Sequence, residues 1–251
     1  MGAKIKIKDG YVIASAKKGL RGSVIKFPKV SVGATENILI AACFAKGETK
    51  LRNCAMEPEI DDLINFLKKL GCQINRIGKR SINILGVEKL KSATHEVIFD
   101  RIEAGTYIIA AALTKGHLKI KNINHKIMST EINLLSKMGI NIVKKRTYII
   151  VSRLKKLKNI NITTKPYPGF PTDLQAQIMV LMIKAHGIST IKENIFENRF
   201  MHVSELRRMG AQIEIKGNKA KIFGKNKLNG AELMATDLRA SVCLVLAGLI
   251  P

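Results

Sequence analysis

At 251 residues the chain is long enough to bury one large core or two smaller ones, and 46% hydrophobic content excludes a disordered protein. A net charge of +24 raises nucleic acid as a partner. Against it, the lysines are scattered through every segment, aromatic residues for base stacking reach only 5%, and no nucleic-acid motif occurs, so nucleic acid is not the expected partner and coding bias accounts for the charge as readily.

The start, Met1-Gly-Ala-Lys-Ile-Lys, is charged and alternating at once and has no signal-peptide pattern. The apolar runs 38–45, 107–113 and 241–251 are shorter than the roughly 20 residues of a membrane-spanning helix, so no membrane partner is expected. Cys43, Cys54, Cys72 and Cys243 form no CxxC pair and have no histidine at zinc-finger spacing. Reduced, buried thiols in a cytoplasmic protein are the expectation. The five histidines form no ligand set, and neither a metal nor a cofactor is expected.

An internal repeat of about seventy residues organises the chain. Leu67-Lys-Lys-Leu-Gly71-Cys-Gln-Ile recurs as Leu135-Ser-Lys-Met-Gly139-Ile-Asn-Ile and as Leu206-Arg-Arg-Met-Gly210-Ala-Gln-Ile. A second marker, Ala45-Lys-Gly47, Thr114-Lys-Gly116 and Ala185-His-Gly187, keeps the same step. Each unit reads as an apolar helix closed by the first glycine in a left-handed cap, then a strand at 49–53, 118–122 or 189–193. A second, amphipathic helix follows, with Ile60, Leu63, Phe66, Leu67 and Leu70 at helical spacing in the first unit. The second glycine caps it, and alternating strands such as 212–216 and 219–223 close the unit. Met1-Gly2-Ala-Lys-Ile repeats Met209-Gly210-Ala-Gln-Ile in step, and Ala235-Thr-Asp-Leu-Arg-Ala-Ser241 opens a fourth first-helix. The period therefore predicts a chain cut inside a repeat at both ends.

The chemistry-bearing stretch is 169–199. Thr172 reads as an N-cap, with Leu174, Ile178, Leu181 and Met182 at helical spacing behind it. Asp173 then lies at a helix N-terminus, where free N–H groups and the helix dipole favour anionic groups, and Arg199 follows the next strand. An acid and an arginine there suit a hydroxyl proton and a phosphate. The pattern alone equally fits an acid that only stabilises a first turn.

Phe170-Pro-Thr-Asp-Leu-Gln-Ala-Gln, Ile195-Phe-Glu-Asn-Arg-Phe-Met-His-Val203 and Met234-Ala-Thr-Asp-Leu-Arg-Ala-Ser241 closely resemble the UDP-N-acetylglucosamine 1-carboxyvinyltransferases, the cell-wall branch of the enolpyruvyl transferases. Val30-Ser-Val-Gly-Ala-Thr35, Glu57-Pro-Glu-Ile60 and Asp100-Arg-Ile-Glu-Ala-Gly-Thr106 resemble further motifs in family order, and the likeness covers essentially the whole chain. It implies an α/β inside-out barrel of such repeats in two domains, helices inside and sheets outside, with substrates between them. On that template 1–99 would be the end of the first domain, with one whole repeat. Residues 100–251 would be an incomplete second domain, with two whole repeats and the start of a third.

The resemblance implies transfer of the enolpyruvyl group of phosphoenolpyruvate to the 3-hydroxyl of UDP-N-acetylglucosamine with release of phosphate, the first committed step of peptidoglycan synthesis. Asp173 matches the acid proposed as base for the sugar hydroxyl, which needs a carboxylate within hydrogen-bond reach. Arg199 and Arg239 match arginines facing the phosphate or carboxylate of phosphoenolpyruvate, a task suited to a guanidinium fork. Asp237 matches a substrate contact and equally suits a helix cap. Lys29, Val30, Ser31, Val32 and Gly33 match the strand-to-helix turn that holds the uridine diphosphate, with Ser31 as N-cap. Ile195 would pack near the nucleotide-sugar, and Glu57, Asp100 and Glu197 are candidate cleft acids or solvated and capping acids. The family's proton donor lies on a mobile loop that has no counterpart here, and none of the four cysteines matches it. Losing one such group costs about 10²-fold or more, so the chain alone is expected to be inactive. Two alternatives stay open, half of a split enzyme with a separately encoded N-terminal piece, and a non-catalytic nucleotide-sugar or nucleic-acid binding relic.

Overall fold

The computed structural model describes residues 1–153, 155–225, 227–235 and 237–250. Contacts divide the chain after Ile98 into two units, each with its own core.

The first unit opens with a hairpin, β1 (Lys4–Lys8) and β2 (Tyr11–Ser15). Then come β3 (Val24–Lys26), α1 (Val32–Ala42), β4 (Glu48–Arg52), α2 (Pro58–Lys69), β5 (Gln73–Arg76) and β6 (Ser81–Leu85). β3 and β4 pair in parallel with α1 as the crossover, and the sheet runs β3-β4-β6-β5. Leu39, Leu51, Ile60, Ile64, Leu67, Ile74, Ile82 and Ile84 fill the space between helices and sheet.

The second unit contains α3 (Arg101–Leu113), β7 (His117–Lys121), α4 (Ser129–Lys137), β8 (Asn141–Lys144) and β9 (Tyr148–Ser152). It continues with β10 (Asn161–Thr163), α5 (Gln175–Ile183), β11 (Ile188–Lys192), α6 (His202–Arg208), β12 (Ile213–Lys216), β13 (Lys219–Phe223) and α7 (Leu238–Gly248). Its sheets run β7-β9-β8 and β10-β11-β13-β12. The antiparallel trios β4-β6-β5, β7-β9-β8 and β11-β13-β12 share one order, the repeat made visible in hydrogen bonds. The sheets are open, and the described residues form no closed barrel. α5 is apolar on nearly every side and buried along its whole length, with α3 and α7 packed against it.

The second glycine of each repeat caps its helix as expected. Gly71, Gly139 and Gly210 have φ of 103°, 99° and 94°. Their N–H groups donate to Lys68, Ser136 and Arg207, and the next residues reach back to Leu67, Leu135 and Leu206. These are the paired bonds of a Schellman ending, and a left-handed φ of this kind suits glycine.

Four local expectations change. The first helices do not end at their glycines: α1, α3 and α5 stop at Ala42, Leu113 and Ile183, three or more residues earlier. Their last carbonyls are taken by tight turns, as where Ala45 N–H donates to Ala42. Gly47 and Gly187 turn the chain into a strand instead, and beside Gly116 the left-handed residue is Lys115. The strands begin one residue earlier than expected, at Glu48, His117 and Ile188. β3 and β10 have only three residues each, too few to show alternation, so the parallel strand before two of the first helices goes unread. Thr172 is not an N-cap: a 3₁₀ turn, Thr172–Leu174, precedes α5, and no side chain caps it. Pro251 and Thr236, which figure in the reading of the chain's end, lie outside the described residues.

Candidate functional site

The second unit brings together residues from three separate segments. Asp173 stands on the 3₁₀ turn before α5, held from below by Leu174, which is fully buried. Gly105 of α3 allows that fit, because a Cβ there would meet Leu174 Cδ1 at 2.6 Å. Arg199 lies in the loop after β11, and its Nη2 donates to Asp173 Oδ1 at 2.8 Å. Arg239, in the first turn of α7, reaches the same oxygen through Nε and Nη2, both at 2.6 Å. One carboxylate oxygen therefore gathers two guanidinium groups, leaving local positive charge. Arg199 also lies over the Phe196 ring at 4.6 Å, which fixes its plane.

Asp237 accepts the Arg239 N–H at 2.7 Å and so caps the start of α7 that aims Arg239. Asp237, Arg199 and Arg239 line a cavity of about 70 Å³ together with Gln175 and His202. His202 is 3% exposed and its Nε2 has no hydrogen-bond partner. Burial pushes its pKa down to about 4, Asp237 opposing the shift and Arg199 adding to it. The imidazole is neutral at pH 7. Sequence reasoning missed His202 as a site residue, although it lies in the Ile195 to Val203 string; its burial was the missing signal.

Glu193, at the end of β11, was also missed. It is 2% exposed, and its Oε1 accepts from Thr164 Oγ1, Ile195 N–H and Phe196 N–H. Thr172 Oγ1 donates to its Oε2 at 2.8 Å. That bond is why Thr172 does not cap: its hydroxyl meets a buried carboxylate 21 residues away, which a local reading cannot see. Ile195 is half-buried, and Glu197 is exposed beside the left-handed Asn198.

Asp100 caps α3, accepting the N–H groups of Ile102 and Glu103 at 2.7 and 3.1 Å, which is the capping alternative. Lys29, Val30, Ser31, Val32, Gly33 and Glu57 belong to the first unit. Ser31 caps α1 as expected, its Oγ accepting from Ala34 N–H at 3.2 Å. Lys29 and Gly33 are exposed beside it, so the start of α1 presents backbone N–H groups at an accessible turn. Glu57 is buried and accepts from Met56 N–H at 2.9 Å.

All four cysteines are buried free thiols. Among the described residues no group of three or more His, Cys, Asp or Glu side chains could hold a metal ion, and no helix is long and apolar enough to cross a membrane.

Comparison with known proteins adds three findings. The pattern of the family described as EPSP synthase (3-phosphoshikimate 1-carboxyvinyltransferase) matches residues 1–251. Proteins named UDP-N-acetylglucosamine 1-carboxyvinyltransferase are similar over 249 residues, 99% of this chain: 64% identical in Pelagibacter ubique and 52% in Geotalea uraniireducens. The chain spans about 60% of the length of those relatives. Among solved structures, the enolpyruvyl transferase NikO from Streptomyces tendae superposes with a TM-score of 0.90 at 25% identity, covering 99% of this chain and 62% of that one. EPSP synthase from Acinetobacter baumannii, at 22% identity and a TM-score of 0.69, shares the fold.

Proposed function

From the premise that this chain belongs to the EPSP synthase family of carboxyvinyltransferases, we propose that it carries part of a site for enolpyruvyl transfer from phosphoenolpyruvate to the 3-hydroxyl of UDP-N-acetylglucosamine. Phosphate leaves, and the product enters peptidoglycan synthesis in the cytoplasm. The observation that carries this reading is the meeting of Asp173, Arg199 and Arg239 at one oxygen atom. In the proposed mechanism the Asp173 carboxylate accepts the proton of the sugar hydroxyl as its oxygen attacks C2 of phosphoenolpyruvate. Arg199 and Arg239 hold the phosphate or carboxylate of phosphoenolpyruvate, their forks suited to paired oxyanion contacts and their charge constant across pH.

Arginines that now share Asp173 would exchange one anionic partner for another when the substrate arrives. Asp237 keeps Arg239 aimed, and Ile195 offers an apolar contact to the nucleotide-sugar. In the first unit the turn from Lys29 through Val30, Ser31, Val32 and Gly33 receives the diphosphate at the start of α1. Glu57, Asp100 and Glu197 are assigned supporting roles, Asp100 as the cap of α3. Residues 1–99 and 100–251 are read as the end of one family domain and the beginning of the other. Proton delivery to the methylene carbon of phosphoenolpyruvate is assigned to no residue of this chain.

Phosphate release from phosphoenolpyruvate and UDP-N-acetylglucosamine tests the reading. The 251-residue chain alone is expected to give none. Supplied with a separately produced N-terminal piece of the Pelagibacter relative, it is expected to release phosphate, and Asp173→Ala to lower that release by about 10²-fold. Release that survives D173A unchanged would remove Asp173 from the mechanism.

A further inference from the structure

We infer that Glu193 is the positioning residue that sets the Asp173 turn and the Arg199 loop in register with each other. The inference rests on the reading that these two segments meet the ligand.

Glu193 is a buried carboxylate with four donors, a costly group to bury unless its acceptors are used. Its two oxygens divide the work. Oε2 takes the hydroxyl of Thr172, the residue before Asp173. Oε1 takes the N–H groups of Ile195 and Phe196, which begin the loop that carries Arg199. A third donor to Oε1, Thr164 Oγ1, ties the carboxylate to the end of β10 and itself accepts the N–H of Asn194. The Glu193 backbone is fixed separately, its N–H donating to Asn218 O and its carbonyl accepting from Asn218 Nδ2. The carboxylate therefore hangs from an anchored strand end and bonds to the bases of both site segments. Bonds to a charged acceptor are stronger and shorter than neutral ones, so a carboxylate holds two loops in place more firmly than a hydroxyl would. A shift of either segment by an ångström would separate Asp173 from Arg199, and site geometry is sensitive on that scale.

The test follows amide hydrogen exchange and phosphoenolpyruvate titration of the full 251-residue chain by NMR. In Glu193→Ala, exchange at Ile195 and Phe196 should accelerate by about tenfold or more, and affinity for phosphoenolpyruvate should fall by about tenfold, the scale of losing bonds to a charged acceptor. Glu193→Gln keeps an oxygen for the two N–H groups and an amide that can donate to Thr172. It should restore exchange to within about twofold of the original. A merely structural role would instead speed every amide of the second unit alike and would leave E193Q no better than E193A. Unchanged exchange at Ile195 and Phe196 in E193A would likewise overturn the inference. If E193A does not fold, Thr172→Val cuts one arm only: Asp173 and Leu174 should loosen while Ile195 stays protected, and no loosening refutes the claim. A wild-type chain that ignores phosphoenolpyruvate counts against the proposed function, and the exchange measurements still decide the role of Glu193.

Discussion

α1 and α5 hold the same place in the first and third copies of one repeat and are about equally apolar, yet their surroundings differ. All nine residues of α5 are buried, with α3 and α7 against it. α1 packs on α2 and its own sheet, and Ile40 and the neighbouring Phe44 remain 52% and 54% exposed. The hairpins repeat the contrast. Ile213, Ala220 and Ile222 of β12 and β13 are buried, whereas Ile5, Val12 and Ala14 of β1 and β2, in step with them along the repeat, are open to solvent. Burial here follows from the neighbours packed against each element, not from the apolar content of the element itself.

Truncation should expose that difference most strongly. Leu181→Ala in α5 removes a fully buried side chain from a packed core and is expected to cost about 3–5 kcal/mol by urea unfolding of the second unit. Ile40→Ala in α1 should cost under about 1 kcal/mol, and equal losses at the two positions would break the comparison.

The second unit should also carry a pH dependence of its own through His202. Its folded pKa, about 4, lies below the unfolded value near 6.5, so between those values the unfolded chain binds more proton. Stability is full above about pH 6.5 and is lost as pH falls toward 4, by up to about 3 kcal/mol. His202→Asn should flatten that slope in unit-resolved denaturation curves, while the first unit's curve stays unchanged. A smaller effect than that of His202 tests the opposite side of the comparison. Gly71→Ala and Gly210→Ala, one in each unit, should each cost about 1–2 kcal/mol, because the strain at positive φ is local and independent of how many repeats surround it. Unequal costs would show that even the caps depend on their surroundings.

Much of this architecture is legible in the sequence. The period, the glycine caps of α2, α4 and α6, the closing strands and the Ser31 cap are local patterns, and local patterns survive in any surroundings. Asp173, Arg199 and Arg239 were readable through their motifs, though their meeting at one oxygen was not. What stayed hidden depends on long-range partners. Thr172 is drawn from capping by Glu193, β3 and β10 are strands only because β4 and β11 pair with them, and His202 matters through its burial. The position eight residues before the capping glycine makes the point: it holds half-buried Leu63 in α2, Glu131 paired with buried Arg101 in α4, and His202 in α6. One slot in a common scaffold has taken three chemistries.

The reach of Arg239 has a consequence in time. Asp173 and Arg239 are 66 residues apart, and Arg239 stands at the head of the last described helix. During vectorial synthesis the turn, α5 and the Arg199 loop all emerge before α7 does. The double-arginine contact therefore closes only after α7 docks against α5, later than any contact made among the turn, α5 and the Arg199 loop alone.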